Sequence, residues 1–124
     1  MLTQLIAVAV FGMLGAVSRF SAGYWVTSMY GHDFPYGTLT VNVVGSFLVG
    51  VAYVFLVEKA MLDLVWRVGF IIGFLGAFTT FSTFSLDTIR LLEHDQFARA
   101  GVNVLTNVSV CLLVTWAGIR VARL

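Results

Sequence analysis

Long stretches without charge alternate with short charged ones along this chain, and that pattern sets the first expectation. Residues 2–18, 38–57, 68–86 and 100–119 contain no Asp, Glu, Lys or Arg. Each approaches the roughly 20 residues a helix needs to cross a hydrocarbon core of about 30 Å. The spacing predicts an all-α membrane protein with four transmembrane helices, over about 2–24, 38–57, 67–90 and 98–121. They form a single transmembrane domain spanning 1–124. The first helix is read past Arg19 to about Tyr24. The segment 25–37 holds the only proline, Pro35, with Gly31, Asp33 and Gly37 around it, and reads as a loop. Segments 58–67 and 87–99 carry most of the charges. No Lys or Arg precedes the first apolar run, which is also longer than a signal-peptide core, so a spanning helix is expected there.

Composition agrees with lipid as the solvent. Of 124 residues, 60% are hydrophobic and only 10% charged, more apolar surface than a soluble domain of this size can hide. A net charge of +1 leaves no electrostatic footprint for nucleic acid. Cys111, alone in an apolar run, offers neither a disulfide nor a metal cluster and reads as a small buried hydrophobe.

Charge also bears on orientation. With alternating helices, Lys59, Arg67, Arg120 and Arg123 share one side, against Arg90 and Arg99 on the other. Under the positive-inside rule that bias is weak. A chain so weakly biased is expected to insert both ways and to pair with its own inverted copy as an antiparallel, dual-topology homodimer.

Small residues at helical spacing mark contacts between helices. Gly69 and Gly73 stand four apart, as do Ser46 and Gly50, and Gly12 and Gly15 open the first helix similarly. Trp25, Trp66 and Trp116 lie near predicted helix ends, where tryptophan anchors at the membrane interface.

Polar side chains in the spans need a reason, because burial in lipid is costly. Asn42 lies in the second helix. Asn103 and Asn107, four apart in the fourth, point the same way. Thr38, Thr106, Ser109 and Thr115 add hydroxyls. These groups either hydrogen-bond helix to helix or line a path for a polar solute. No Asp, Glu, Lys or His lies deep in any span, so neither the titratable group of a proton-driven pump nor the acidic ring of a cation pore is present. Neutral amides, hydroxyls and aromatic edges suit a passive path, and no catalytic chemistry is expected.

The third helix is the densest signal. From Thr79 to Ser85, five of seven side chains are hydroxyls, and Gly76 precedes them. Ser and Thr offer the backbone alternative hydrogen bonds, so a break in the helix is expected. Breaks at membrane depth survive when buried in protein or lining a cavity, and they free carbonyl oxygens suited to a hard cation such as sodium. Phe81 and Phe84 stand three apart, and an anion can approach the positive edge of an aromatic ring.

The run Gly73-Phe-Leu-Gly-Ala-Phe-Thr-Thr-Phe-Ser-Thr-Phe-Ser85, with Asn42-x-x-Gly45-Ser46-Phe47 before it, resembles the Fluc (CrcB) fluoride channel family. Gly15-Ala16-x-x-Arg19, Gly37-Thr38 and Asn103-x-x-x-Asn107 extend the resemblance to essentially the whole chain. It implies an antiparallel homodimer in a bacterial inner membrane that passively exports fluoride through two pathways. Phe81 and Phe84 would flank the ion, with Asn42 as an amide donor nearby. Ser82, Thr83 and Thr115 would fall on a polar track, joined along the pathway by Thr38, Asn103 and Asn107. Backbone carbonyls of Gly76 and Thr79 from both subunits would hold a structural sodium ion, and Arg19 would attract anions at a vestibule. The sequence departs from the pattern at Asp87, where Glu is common, and at Asn103, where some members have Tyr. The competing expectation is a proton-coupled small multidrug exporter, which needs a carboxylate in its first helix. Only Gln4 and Arg19 are offered there.

Overall fold

A computed structural model describes the whole chain, Met1–Leu124. It is all helical, with four helices long and apolar enough to cross a membrane. The first, α1, runs over Leu2–Tyr30, further than the expected end near Tyr24. Nothing between Tyr24 and Tyr30 interrupts the ladder, and the Ser28 hydroxyl donates back to the Tyr24 carbonyl at 2.8 Å. The helix stops at Gly31, whose φ of 89° few residues but glycine adopt readily. Pro35 stands just before α2 (Tyr36–Glu58), where its missing N–H costs no ladder bond.

The third span divides. Residues 64–78 form α3 and Phe81–Glu93 form α4. Between them Thr79 (φ −87°, ψ 159°) and Thr80 (φ −151°, ψ 118°) are extended. Thr80 caps α4, its hydroxyl accepting the Thr83 N–H at 3.2 Å. The last span, α5, covers Phe97–Ala122. The charged segment after Asp87 is therefore mostly helix, and only residues 94–96 connect α4 to α5, with Asp95 at φ 57°. Wider π turns occur in three spans, over Tyr53–Glu58, Gly69–Leu75 and Thr106–Val110. Each shifts the face presented by the residues beyond it.

Two close crossings hold the bundle. In α1 against α3, Gly15 packs on the Phe74 carbonyl, and a Cβ on Gly73 would meet Val8 O at 3.0 Å. In α2 against α5 the contact is reciprocal: Gly50 packs on the Thr115 carbonyl and Gly118 on the Phe47 carbonyl. Thr115 ties the crossing by donating to Ser46 O at 3.0 Å. Small residues thus bring backbones together, and van der Waals contact drives association in lipid. Along α3, Phe70, Phe74 and Phe78 stack in a row, centroids 5.6 and 5.9 Å apart.

The two ends of the bundle differ. Glu58 pairs with Arg123, and Lys59 Nζ donates to Ala122 O at 3.4 Å, so the α2–α3 connection and the C-terminus lie at one end. The 31–35 loop, the end of α4 and the start of α5 gather at the other.

Candidate ion pathway

Two cavities lie among the helices. The larger, about 840 Å³, is a mouth lined by residues of α1, the 31–35 loop, α2 and α4. The smaller, about 460 Å³, is a cleft among α2, α3, α4 and α5 that opens at the surface of the single chain. Thr80 lines both, so it forms part of a wall that the two share.

The cleft contains no acid, lysine, arginine or histidine. Its lining includes Asn42, Thr79, Phe81, Phe84, Asn107 and Thr115. The rings of Phe81 and Phe84 lie 5.3 Å apart, tilted by 59°. Their settings are unequal: Phe84 is 8% exposed and Phe81 76% exposed, so one ring is fixed in the bundle while the other faces outward.

The remaining predicted residues divide. Arg19, Thr38 and Thr83 line the mouth. Thr38 donates to Asp87 Oδ2 at 2.9 Å, which ties α2 to α4 there. Ser82 is exposed and borders neither cavity, touching only Thr80 Oγ1 at 3.4 Å. Asn103 is fully buried and also borders neither.

Asn42 acts on the backbone. Its Oδ1 accepts the Thr80 N–H at 2.8 Å, and its Nδ2 donates to Thr80 O at 2.9 Å and to Asn107 Oδ1 at 3.0 Å. Both amide protons are thus taken by protein acceptors. Asn42 supplies the partner that the extended Thr80 peptide lost when it left the helix, as buried backbone groups require. Asn107 is held in turn by Asn103, through Oδ1 at 3.0 Å and the main-chain O at 2.9 Å.

The same rearrangement frees a carbonyl. The Thr79 N–H reaches back to Leu75 O at 3.1 Å, and the Thr80 N–H goes to Asn42, so neither closes a ladder on Gly76. Gly76 and Thr79 both border the cleft, and Gly76 is exposed. Hard carbonyl oxygens left free at an open surface fit a small hard cation.

Sequence reasoning missed Thr80, the one residue common to mouth and cleft. Its signal was available: a Thr followed three residues later by another hydroxyl, at the start of an apolar turn, is a helix-capping pattern.

Comparison with known proteins follows the same residues. The pattern of a family described as CrcB-like protein, Camphor Resistance (CrcB), matches residues 6–119. The chain is 52% identical over 119 residues to a fluoride-specific ion channel FluC of Geobacter metallireducens, covering 96% of each chain. It is 47% identical over 122 residues to the FluC of Geobacter sulfurreducens, covering 98% of each. With the FluC of Geotalea daltonii it shares 48% over 118 residues, 95% of each.

Proposed function

The chain belongs to the CrcB family, and from that premise we propose that it is a fluoride-selective channel, passing the ion down its gradient and so relieving fluoride toxicity. One observation carries the reading: a cleft of neutral amides, hydroxyls and two phenylalanine rings that shares the wall at Thr80 with a mouth holding Arg19. Relatives nearly half identical along their whole length are named fluoride-specific channels. A multi-pass membrane protein with this lining suits passive flow. A proton-coupled exporter needs a carboxylate at membrane depth, and the cleft offers none.

Arg19 and Arg90 offer an anion local attraction at the mouth, although Asp33 and Asp87 in the same lining balance their formal charge. The edges of Phe81 and Phe84 then meet the ion with their positive rims. The Thr83 hydroxyl accepts from Thr80 and keeps its own proton for the ion, holding the ion weakly enough to let it leave, while Thr115 gives its proton to the carbonyls of Ser46 and Cys111. Asn42 serves this path by holding the Thr80 peptide.

The chain is further read as an antiparallel, dual-topology homodimer in a bacterial inner membrane, giving two pathways. The exposed ring of Phe81 and the open side of the cleft support a second copy as the missing wall. The carbonyls of Gly76 and Thr79 would hold a sodium ion between the subunits, supplying fixed positive potential and a tie between the divided helices.

Purified protein in liposomes tests the proposal. Fluoride release is expected to exceed chloride release by orders of magnitude with no proton gradient, and equal rates would refute the reading. Phe84→Ile is expected to slow efflux roughly tenfold while the protein elutes as the same oligomer, since it removes a ring edge from the path and the Phe81–Phe84 pair, itself worth about 0.5–1.5 kcal/mol. Replacing sodium by a larger monovalent cation on both sides is expected to abolish efflux, and sodium-independent efflux would remove the cation from the proposal.

A further inference from the structure

Three asparagines and a threonine form a continuous hydrogen-bonded chain whose direction is fixed at both ends. At one end the Thr80 N–H, which can only donate, meets Asn42 Oδ1 at 2.8 Å. Asn42 Nδ2 is then left to face Asn107 Oδ1 at 3.0 Å. Asn107 Nδ2 gives to Asn103 Oδ1 at 3.0 Å, and Asn103 Nδ2 gives to Thr88 Oγ1 at 2.9 Å. At the far end the Thr88 hydroxyl gives its one proton to the Phe84 carbonyl at 2.8 Å, a group that can only accept. Turning any single amide over would set like groups against each other at its neighbours. Both ends select the same orientation.

Both ends also belong to α4. The chain leaves the backbone at Thr80, crosses α2 and α5 through the three amides, and returns at Phe84 by way of Thr88. It is a strap around the turn that carries Phe81 and Phe84. Every buried side-chain polar atom in the fold has at least one partner, so breaking one link of the strap takes a partner from its neighbour. Thr88 itself borders neither the mouth nor the cleft.

We infer that Thr88 and Asn103 are positioning residues: through Asn107 they set the angle of the Asn42 amide, and through Asn42 they hold the Thr80 peptide in the wall shared by mouth and cleft. The geometry stands by itself, whereas its consequence for ion flow rests on the fluoride-channel reading. Asn103 therefore acts on the pathway without touching it.

The test compares wild type, Thr88→Val and Thr88→Ser as full-length protein in lipid vesicles. Two quantities are read: fluoride efflux per protein, and hydrogen exchange of the Thr80 backbone amide. Thr88→Val keeps the shape of the side chain and removes the acceptor, and is expected to raise Thr80 exchange and lower efflux, each about tenfold. Thr88→Ser restores the hydroxyl and is expected to match wild type in both. Unchanged Thr80 exchange in Thr88→Val overturns the inference, even if efflux falls. So does a Thr88→Ser that behaves like Thr88→Val. If the valine variant does not fold, Thr88→Ala carries the same comparison. Should wild type release no fluoride, the channel reading fails while the exchange comparison still decides the strap.

Discussion

Replacing Asn42 by leucine is expected to cut fluoride efflux at least a hundredfold and to lower the stability of the folded protein by about 3–9 kcal/mol. The leucine fills the same space but offers no hydrogen bond. It orphans the Thr80 N–H, the Thr80 carbonyl and Asn107 Oδ1 together. Each buried polar group left unpaired costs about 1–3 kcal/mol, and no water within the bundle compensates fully. The Thr80 peptide then has two options: to rejoin a helical ladder, which would carry Phe81 and Phe84 to new positions, or to stay unpaired. Efflux from liposomes and thermal unfolding in detergent measure the two losses. Efflux within a few-fold of wild type would show that the extended backbone holds without its partner.

Gly50→Val is expected to do more global damage, leaving little or no protein that assembles. The added carbons would occupy the position of the Thr115 carbonyl, which is backbone and cannot swing aside. α2 and α5 would have to separate, breaking the bond from Thr115 to Ser46 and the matching contact of Gly118 on Phe47. Overpacking costs of about 1–3 kcal/mol apply where side chains can yield, and a backbone contact yields less. The control is Gly101→Ala, whose added methyl meets nothing within 4 Å. Yield and gel-filtration profile are the measurements, and a Gly50→Val protein that purifies like wild type would refute the argument.

Most of the membrane architecture was legible because charge avoidance in lipid is a strong constraint. What was misread lies where that constraint ends. Trp25 to Tyr30 reads as a loop by its polar and aromatic mixture, yet it continues α1, because the interface accepts such residues on a helix. Leu91 to Glu93 carry α4 past the expected end near Arg90 for the same reason.

Within the site, residue type was more legible than role. The four-residue spacing of Asn103 and Asn107 correctly put them on one face. It could not say that one borders the cleft and the other is enclosed, since the π turn between Thr106 and Val110 is invisible in composition. Asn42 reads as a free donor from its type, but one proton is taken by a backbone carbonyl 38 residues away in sequence and the other by the Asn107 side chain. Gly118 has Ala122 four residues on, a small-residue pair the reading passed over, and what Gly118 packs on is a carbonyl of another helix.

The wall that mouth and cleft share at Thr80 has an electrical consequence on the proposed pathway. A membrane potential does work on an ion of about 2.3 kcal/mol per elementary charge per 100 mV, delivered wherever the field lies. A mouth of about 840 Å³, once filled with water, would sustain little field along its length. The voltage would then fall across the narrower, uncharged stretch beyond Thr80, beside the two rings. On that reading the force driving fluoride is focused on the few residues that also select it.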